Sequence, residues 1–143
     1  MSVQAQDSRI PLDTTIVTTN EVSVNGQKIT YKATTGMQPV WDDHGEVIAS
    51  LYFTYYQRTN VKNREKRPII MSFNGGPGSA SVWMHIAYTG PKVLNIDEEG
   101  YPIQPYGVKD NPNSIIDVAD IVYINPVNTG YSRPVVKEGE KLD

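Results

Sequence analysis

The chain has 143 residues, 38% hydrophobic and 20% charged, enough for one globular domain with a core. A net charge of −3 and a pI of about 5.3 supply no basic face for nucleic acid or an anionic membrane surface. The lack of cysteine excludes a disulfide framework and thiolate chemistry, and no stretch approaches transmembrane length.

Met1 to Asp13 is polar and reads as a loose N-terminal segment, which leaves 14–143 as the folded portion. Thr14 to Val24 is rich in Thr, Val and Ile, and Lys28 to Thr34 alternates in character. The Asn25-Gly26 pair between them predicts a β-hairpin, because both residues tolerate a left-handed backbone. Gly36 to Gly45 reads as a loop. Glu46 to Gln57, aliphatic and then aromatic, predicts a third strand. Arg58 to Arg67 reads as a solvated charged loop, too short and mixed for a nucleic-acid patch.

Pro68 to Phe73 is an apolar run entered through a proline and left through glycines, which predicts a buried strand of a parallel sheet. Asn74-Gly75-Gly76-Pro77-Gly78-Ser79 is a tight turn, and Ser79 to Tyr88 is helix-compatible up to Gly90-Pro91. Lys92 to Ile103, with Asp97-Glu98-Glu99-Gly100 at its tip, predicts a second hairpin. Those adjacent acids on a glycine turn read as solvated groups rather than as an acid–base pair. Asn111-Pro112-Asn113-Ser114 caps a short helical stretch through Asp117, and Ala119 to Ile124 predicts a second buried strand.

Strands, then strand–helix–strand, indicate an α/β fold with an antiparallel hairpin lead-in. The turn after Phe73 and the turn after Ile124 both follow the carboxyl ends of their strands, the edge where open α/β sheets bind ligands. Unpaired N–H groups at a glycine turn suit an anion or a developing oxyanion. A purely structural turn has the same composition, and both readings stand at this point.

A serine hydrolase also needs a nucleophile, a histidine base and an orienting acid. The Gly-x-Ser-x-Gly elbow is absent from this sequence. The two histidines are His44, in an acidic loop beside Asp42 and Asp43, and His85, within the predicted helix. His44 with two adjacent acids lacks metal-site spacing and reads as a surface group, and His85 reads as a structural helix-face group. No metal and no cofactor are expected.

Asn74-Gly75-Gly76-Pro77-Gly78-Ser79 after an apolar strand resembles the serine carboxypeptidase family of α/β-hydrolases. A second block agrees in order and spacing. It comprises Asn111 to Ser114, the run Ile115 to Ile124, and Asn125-Pro126-Val127-Asn128-Thr129-Gly130-Tyr131-Ser132. The resemblance implies the N-terminal part of an α/β-hydrolase sheet, with elbow, acid and histidine in a later region. It implies that the Gly76 N–H is an oxyanion donor and that Asn74 and the Gly75 N–H bind a peptide's C-terminal carboxylate. Trp83, Tyr88 and Tyr131 either line the substrate pocket or pack the core. The implied reaction releases a peptide's C-terminal residue through an acyl-enzyme, and the implied location is secreted or periplasmic, although Met1 to Thr15 has no signal-peptide core.

The chain departs from the family pattern at four places. Ser72 stands where many members have tryptophan, and Asn125 and Asn128 replace the usual aspartate and glycine. Ser79 stands where eukaryotic members have cysteine, which suggests a bacterial-type branch. Since the strand leading to the nucleophile is missing, an open apolar strand edge is expected, covered by a second chain or by self-association. Two other classes stay open: a non-catalytic β-rich binding module, and an acyltransferase or esterase of the same fold.

Overall fold

The computed structural model describes residues 13–76 and 78–136. The expected loose segment Met1–Asp13 lies outside the described residues except for Asp13, as do Pro77 and the end of the chain after residue 136.

Strands β1 (Thr15–Val24) and β2 (Gln27–Trp41) form the predicted hairpin, paired from Val24↔Gln27 out to Thr15↔Gly36. Asn25 and Gly26 both take positive φ, 49° and 74°, the backbone a two-residue turn needs to match the strand twist. Period-two alternation places Val22, Val24, Ile29 and Tyr31 on one buried face. Ile116, from the 3-10 turn Ile115–Asp117, completes that cluster, and Ala33 and Tyr56 pack against it. Burying each such aliphatic side chain stabilises the fold by about 1.5–3 kcal/mol. Ser114 caps the turn as predicted, its hydroxyl accepting from Ile116 N at 3.3 Å.

The expected loop over 36–45 is instead largely strand. β2 continues to Trp41 because β3 (Val47–Arg58) pairs with it from Tyr31↔Arg58 to Trp41↔Val47, with an irregularity at Val40/Trp41. Gly36 read as a breaker, but its missing Cβ makes room for the Thr14 carbonyl, which would lie 2.2 Å from that atom. Pro39 is tolerated because the β1 ladder ends at Thr15↔Gly36, so among the described residues no strand pairs with β2 on that side of Pro39.

The main sheet runs β1-β2-β3-β7-β4, with β4 Ile69–Ser72 and β7 Asp120–Ile124, and β8 (Arg133–Pro134) also pairs with β3. β4 and β7 are parallel, from Ile69↔Asp120 to Ser72↔Tyr123. The remaining ladders are antiparallel. β7 is buried, but β4 is not: Ile69 is 56% and Met71 69% exposed. The sequence reads β4 as a buried strand, whereas its side chains are exposed; among the described residues it is also the edge strand of the sheet, the open edge expected where the next strand is missing. The predicted helix is shorter and wider than expected, a π-helical segment Met84–Thr89 entered through Val82 and Trp83. The second hairpin is longer than Lys92–Ile103. β5 (Lys92–Leu94) pairs with β6 (Val108–Asp110), and a bridge joins Ile96 to Pro102.

The Arg58–Arg67 segment is no free loop. Arg67 Nε meets Asp120 Oδ1 at 2.6 Å, and Arg64 Nη2 meets Asp120 Oδ2 at 2.9 Å. Arg58 donates from its backbone N to Asp120 Oδ1 at 3.0 Å and from Nη1 to the Asp117 carbonyl at 3.0 Å. The arginines fasten the segment to the start of β7, because a buried carboxylate needs cationic donors. Among the described residues no helix is long and apolar enough to cross a membrane.

Candidate active-site segment

Parallel pairing brings the carboxyl ends of β4 and β7 to one edge, and continuing the register sets Asn74 level with Asn125. The two glycine-containing blocks therefore meet, and Ser81 joins them. Its Oγ accepts from Asn74 N at 3.0 Å and donates to the Ile124 carbonyl, while its N–H donates to Asn125 Oδ1 at 3.0 Å. Ser81 is 1% exposed, and every one of these groups would be costly to leave unpaired there. Sequence reasoning passed over this residue, because a serine in a first helical turn looks like an ordinary cap. Asn74 Nδ2 donates to Ser79 Oγ.

Gly76 and Gly78 take φ of 78° and 85°, where an L side chain is strained, and no atom lies within 4 Å of a Cβ built on Gly75, Gly76 or Gly78. The turn thus needs glycine for its backbone, and its outer surface is open to a ligand. Among the described residues no acceptor meets the N–H groups of Gly75 and Gly76. No charged residue occurs in 72–82 or 123–132, so any attraction for an anion there comes from amide dipoles.

The second block is fastened equally well. Asn125 N donates to the Tyr52 carbonyl at 3.0 Å, Ser132 Oγ donates to the Asn125 carbonyl at 2.7 Å, and Tyr52 N donates to Ser132 Oγ at 2.8 Å. Asn128 takes the left-handed φ of 67° that glycine takes elsewhere, so the turn closes without glycine at that position. Asn125 acts through its carbonyl oxygen, an acceptor that the family's aspartate also offers, so the missing charge leaves this link intact.

A cavity of about 270 Å³ adjoins both blocks, lined in part by Tyr52, His85, Tyr123, Asn125 and Tyr131. Tyr131 also rests against Tyr52, with ring centroids 5.3 Å apart. Trp83, 58% exposed, and Tyr88, 64% exposed, do not line this cavity. His85 stacks on Tyr123 at 4.6 Å, and its Nε2 lies 2.5 Å from the Tyr56 hydroxyl. Burial lowers the His85 pKa to about 4 and pushes the Tyr123 hydroxyl up to about 12, so both are neutral at pH 7. His44 is exposed, its backbone N donating to Asp42 Oδ1 at 2.9 Å. Neither imidazole ring is hydrogen-bonded to a serine hydroxyl among the described residues; His85 meets Ser81 only through its backbone N, which donates to the Ser81 carbonyl at 3.0 Å.

The serine carboxypeptidase family model matches residues 25–142, which include both blocks. The chain belongs to the serine carboxypeptidase family. Carboxypeptidase Y of Schizosaccharomyces pombe is 31% identical over 104 residues, 72% of this chain and 9% of that protein. Serine carboxypeptidase S10 family member 1 of Dictyostelium discoideum is 28% identical over 92 residues, 64% of this chain and 20% of the relative. Carboxypeptidase Y homolog A of Pyrenophora tritici-repentis is 30% identical over 92 residues, 64% and 15% of the respective chains. This serine carboxypeptidase sequence therefore spans a fifth or less of the curated relatives it matches.

Proposed function

We propose that this chain is the N-terminal part of a serine carboxypeptidase-like α/β-hydrolase, supplying the oxyanion and substrate-carboxylate contacts of a larger active site. The nucleophile, acid and histidine come from a region beyond this segment. The serine attacks the carbonyl of the last peptide bond, the C-terminal residue leaves, and water then hydrolyses the acyl-enzyme. The Gly76 N–H meets the oxyanion, while the Gly75 N–H and the Asn74 carboxamide meet the substrate's free carboxylate.

The observation that carries this reading is the pair of N–H groups on Gly75 and Gly76, without acceptors among the described residues, at a turn fastened to β7 through Ser81. One preorganised donor of this kind lowers a barrier by about 3–4 kcal/mol. The test uses the enzyme assembled from this segment and the part that bears the nucleophile. It is expected to release the last residue of an N-blocked dipeptide and to cleave the matching C-terminal amide far more slowly. Equal rates on both, or turnover of simple esters alone, would overturn the carboxypeptidase assignment in favour of an esterase or acyltransferase.

Among the described residues β4 has no strand on its outer side, and Ile69 and Met71 are exposed, which supports a further part of the reading. A strand from the rest of the enzyme, from a second chain or from another copy covers it. Sedimentation of the 143-residue chain is expected to show association. A monomer that melts cooperatively would refute this. Secreted or periplasmic location belongs to the same proposal, and fractionation of cells expressing the protein tests it.

A further inference from the structure

Two serines flank Ala80, and the hydroxyls of both end on Asn74. Ser79 Oγ accepts from the Asn74 carboxamide, and Ser81 Oγ accepts from the Asn74 backbone N–H at 3.0 Å. A hydroxyl has one proton to give. At Ser81 that proton goes to the Ile124 carbonyl, so its bond with Asn74 has only one possible direction. Ser81 is buried and also tied to Asn125, so it is an anchor rather than a passing contact. A carboxamide nitrogen carries two protons, and only one is taken by Ser79. The other, and the carboxamide oxygen, have no partner among the described residues.

We propose that Ser79 and Ser81 are positioning residues that clamp Asn74, Ser79 by its side chain and Ser81 by its backbone, so that the free carboxamide N–H meets the substrate carboxylate already oriented. The ligand rests on the carboxypeptidase reading; the clamp itself rests on the hydrogen bonds alone. A donor fixed before binding loses less rotamer entropy when it binds, and that difference appears as affinity. The two serines have separable duties. Among the described residues the Ser79 hydroxyl is hydrogen-bonded to the side chain of Asn74 alone, so it governs the preference for a free carboxylate. Ser81 holds the main chain from which Gly75 and Gly76 follow, so it governs the whole turn, oxyanion donor included. A thiol is a weaker acceptor than a hydroxyl, so cysteine at position 79 replaces serine only in part in this duty.

The test compares the blocked dipeptide acid with its amide in the assembled enzyme. Ser79→Ala is expected to lower the acid-over-amide preference in kcat/KM about fivefold, the value of one hydrogen bond. Ser79→Thr, which keeps the hydroxyl, restores it, and Ser79→Cys falls between. Ser81→Ala lowers kcat/KM for the amide as well as for the acid, about tenfold or more, because the oxyanion donor moves with the turn, whereas Ser79→Ala leaves the amide rate unchanged. Hydrogen exchange at the Asn74 backbone amide gives a readout that does not need turnover. It is slow in the wild type and in Ser79→Ala, and fast in Ser81→Ala. An unchanged preference in Ser79→Ala, or unchanged exchange in Ser81→Ala, overturns the clamp. A wild-type enzyme with no preference for the acid overturns the functional reading instead, and the exchange pattern still decides the clamp.

Discussion

Replacing Asp120 by asparagine changes one atom and removes one charge from a crowded place. The Asp120 side chain is 4% exposed and accepts from Arg58 N, Arg64 Nη2, Arg67 Nε and, at 3.3 Å, the Tyr55 hydroxyl. In asparagine one oxygen becomes an N–H₂, which faces an arginine donor and leaves Arg67, itself only 8% exposed, as an uncompensated buried cation. Losing one partner of such a buried pair costs about 3–5 kcal/mol. The Arg64 contact adds little, since that side chain is 42% exposed and screened by water. The lower end of the range, about 3 kcal/mol, is therefore the expectation. At a urea m-value of about 2 kcal/mol/M, the unfolding midpoint of Asp120→Asn falls by about 1.5 M. The assay is urea unfolding followed by far-UV circular dichroism. The double variant Asp120→Leu with Arg67→Met, which removes both charges, is expected to lose less than Asp120→Asn alone. A midpoint for Asp120→Asn within about 0.3 M of wild type would refute the claim that these arginines are structural fasteners.

His85 predicts an acid-sensitive fold. Its pKa is lowered to about 4 in the folded state from 6.5, so stability is whole above pH 6.5, falls as pH drops towards 4, and levels off below. The loss approaches about 3 kcal/mol, and His85→Gln flattens the slope of the urea midpoint against pH by one proton's worth; an identical slope refutes it. Gly130 takes a φ of 50°, and a Cβ there would lie 2.2 Å from Asn125 Nδ2. Gly130→Ala therefore breaks the Asn125–Ser81 link, with an expected cost of about 2 kcal/mol in thermal unfolding. In an Asn125→Ala background the same change should cost less than half as much. Equal costs in the two backgrounds refute the coupling.

What the sequence makes legible here is local. Asn25-Gly26 dictates its own hairpin, and Ser114 its own cap, because turn chemistry acts between neighbours. The edge shared by the two glycine blocks follows from strand direction and was readable too. Gly36 and Pro39 misled, since a breaker becomes harmless where another backbone comes close or a ladder has already ended. The role of Arg67 was hidden because Asp120 is 53 residues away in the chain. Ser81 was hidden for the same reason, its partner Ile124 lying 43 residues on. The burial of β4 was misjudged because an apolar run reports what could be covered, and its cover is not among the described residues.

The order of contacts along the sheet also sets an order in time. β1, β2 and β3 pair with their chain neighbours, so that meander closes only short loops. The β4–β7 pair joins Ile69 to Asp120, 51 residues apart, and must close a long loop before any ladder bond forms. The hairpin side can therefore form first and serve as a template, while the clasp between the two glycine blocks is completed last. Run backwards, the same order makes the site the first region to open. Exchange of the Asn74 and Ser81 amides should then proceed at a lower opening free energy than that of Ile29 or Tyr31, so the joined glycine blocks are ordered only in molecules that have finished folding.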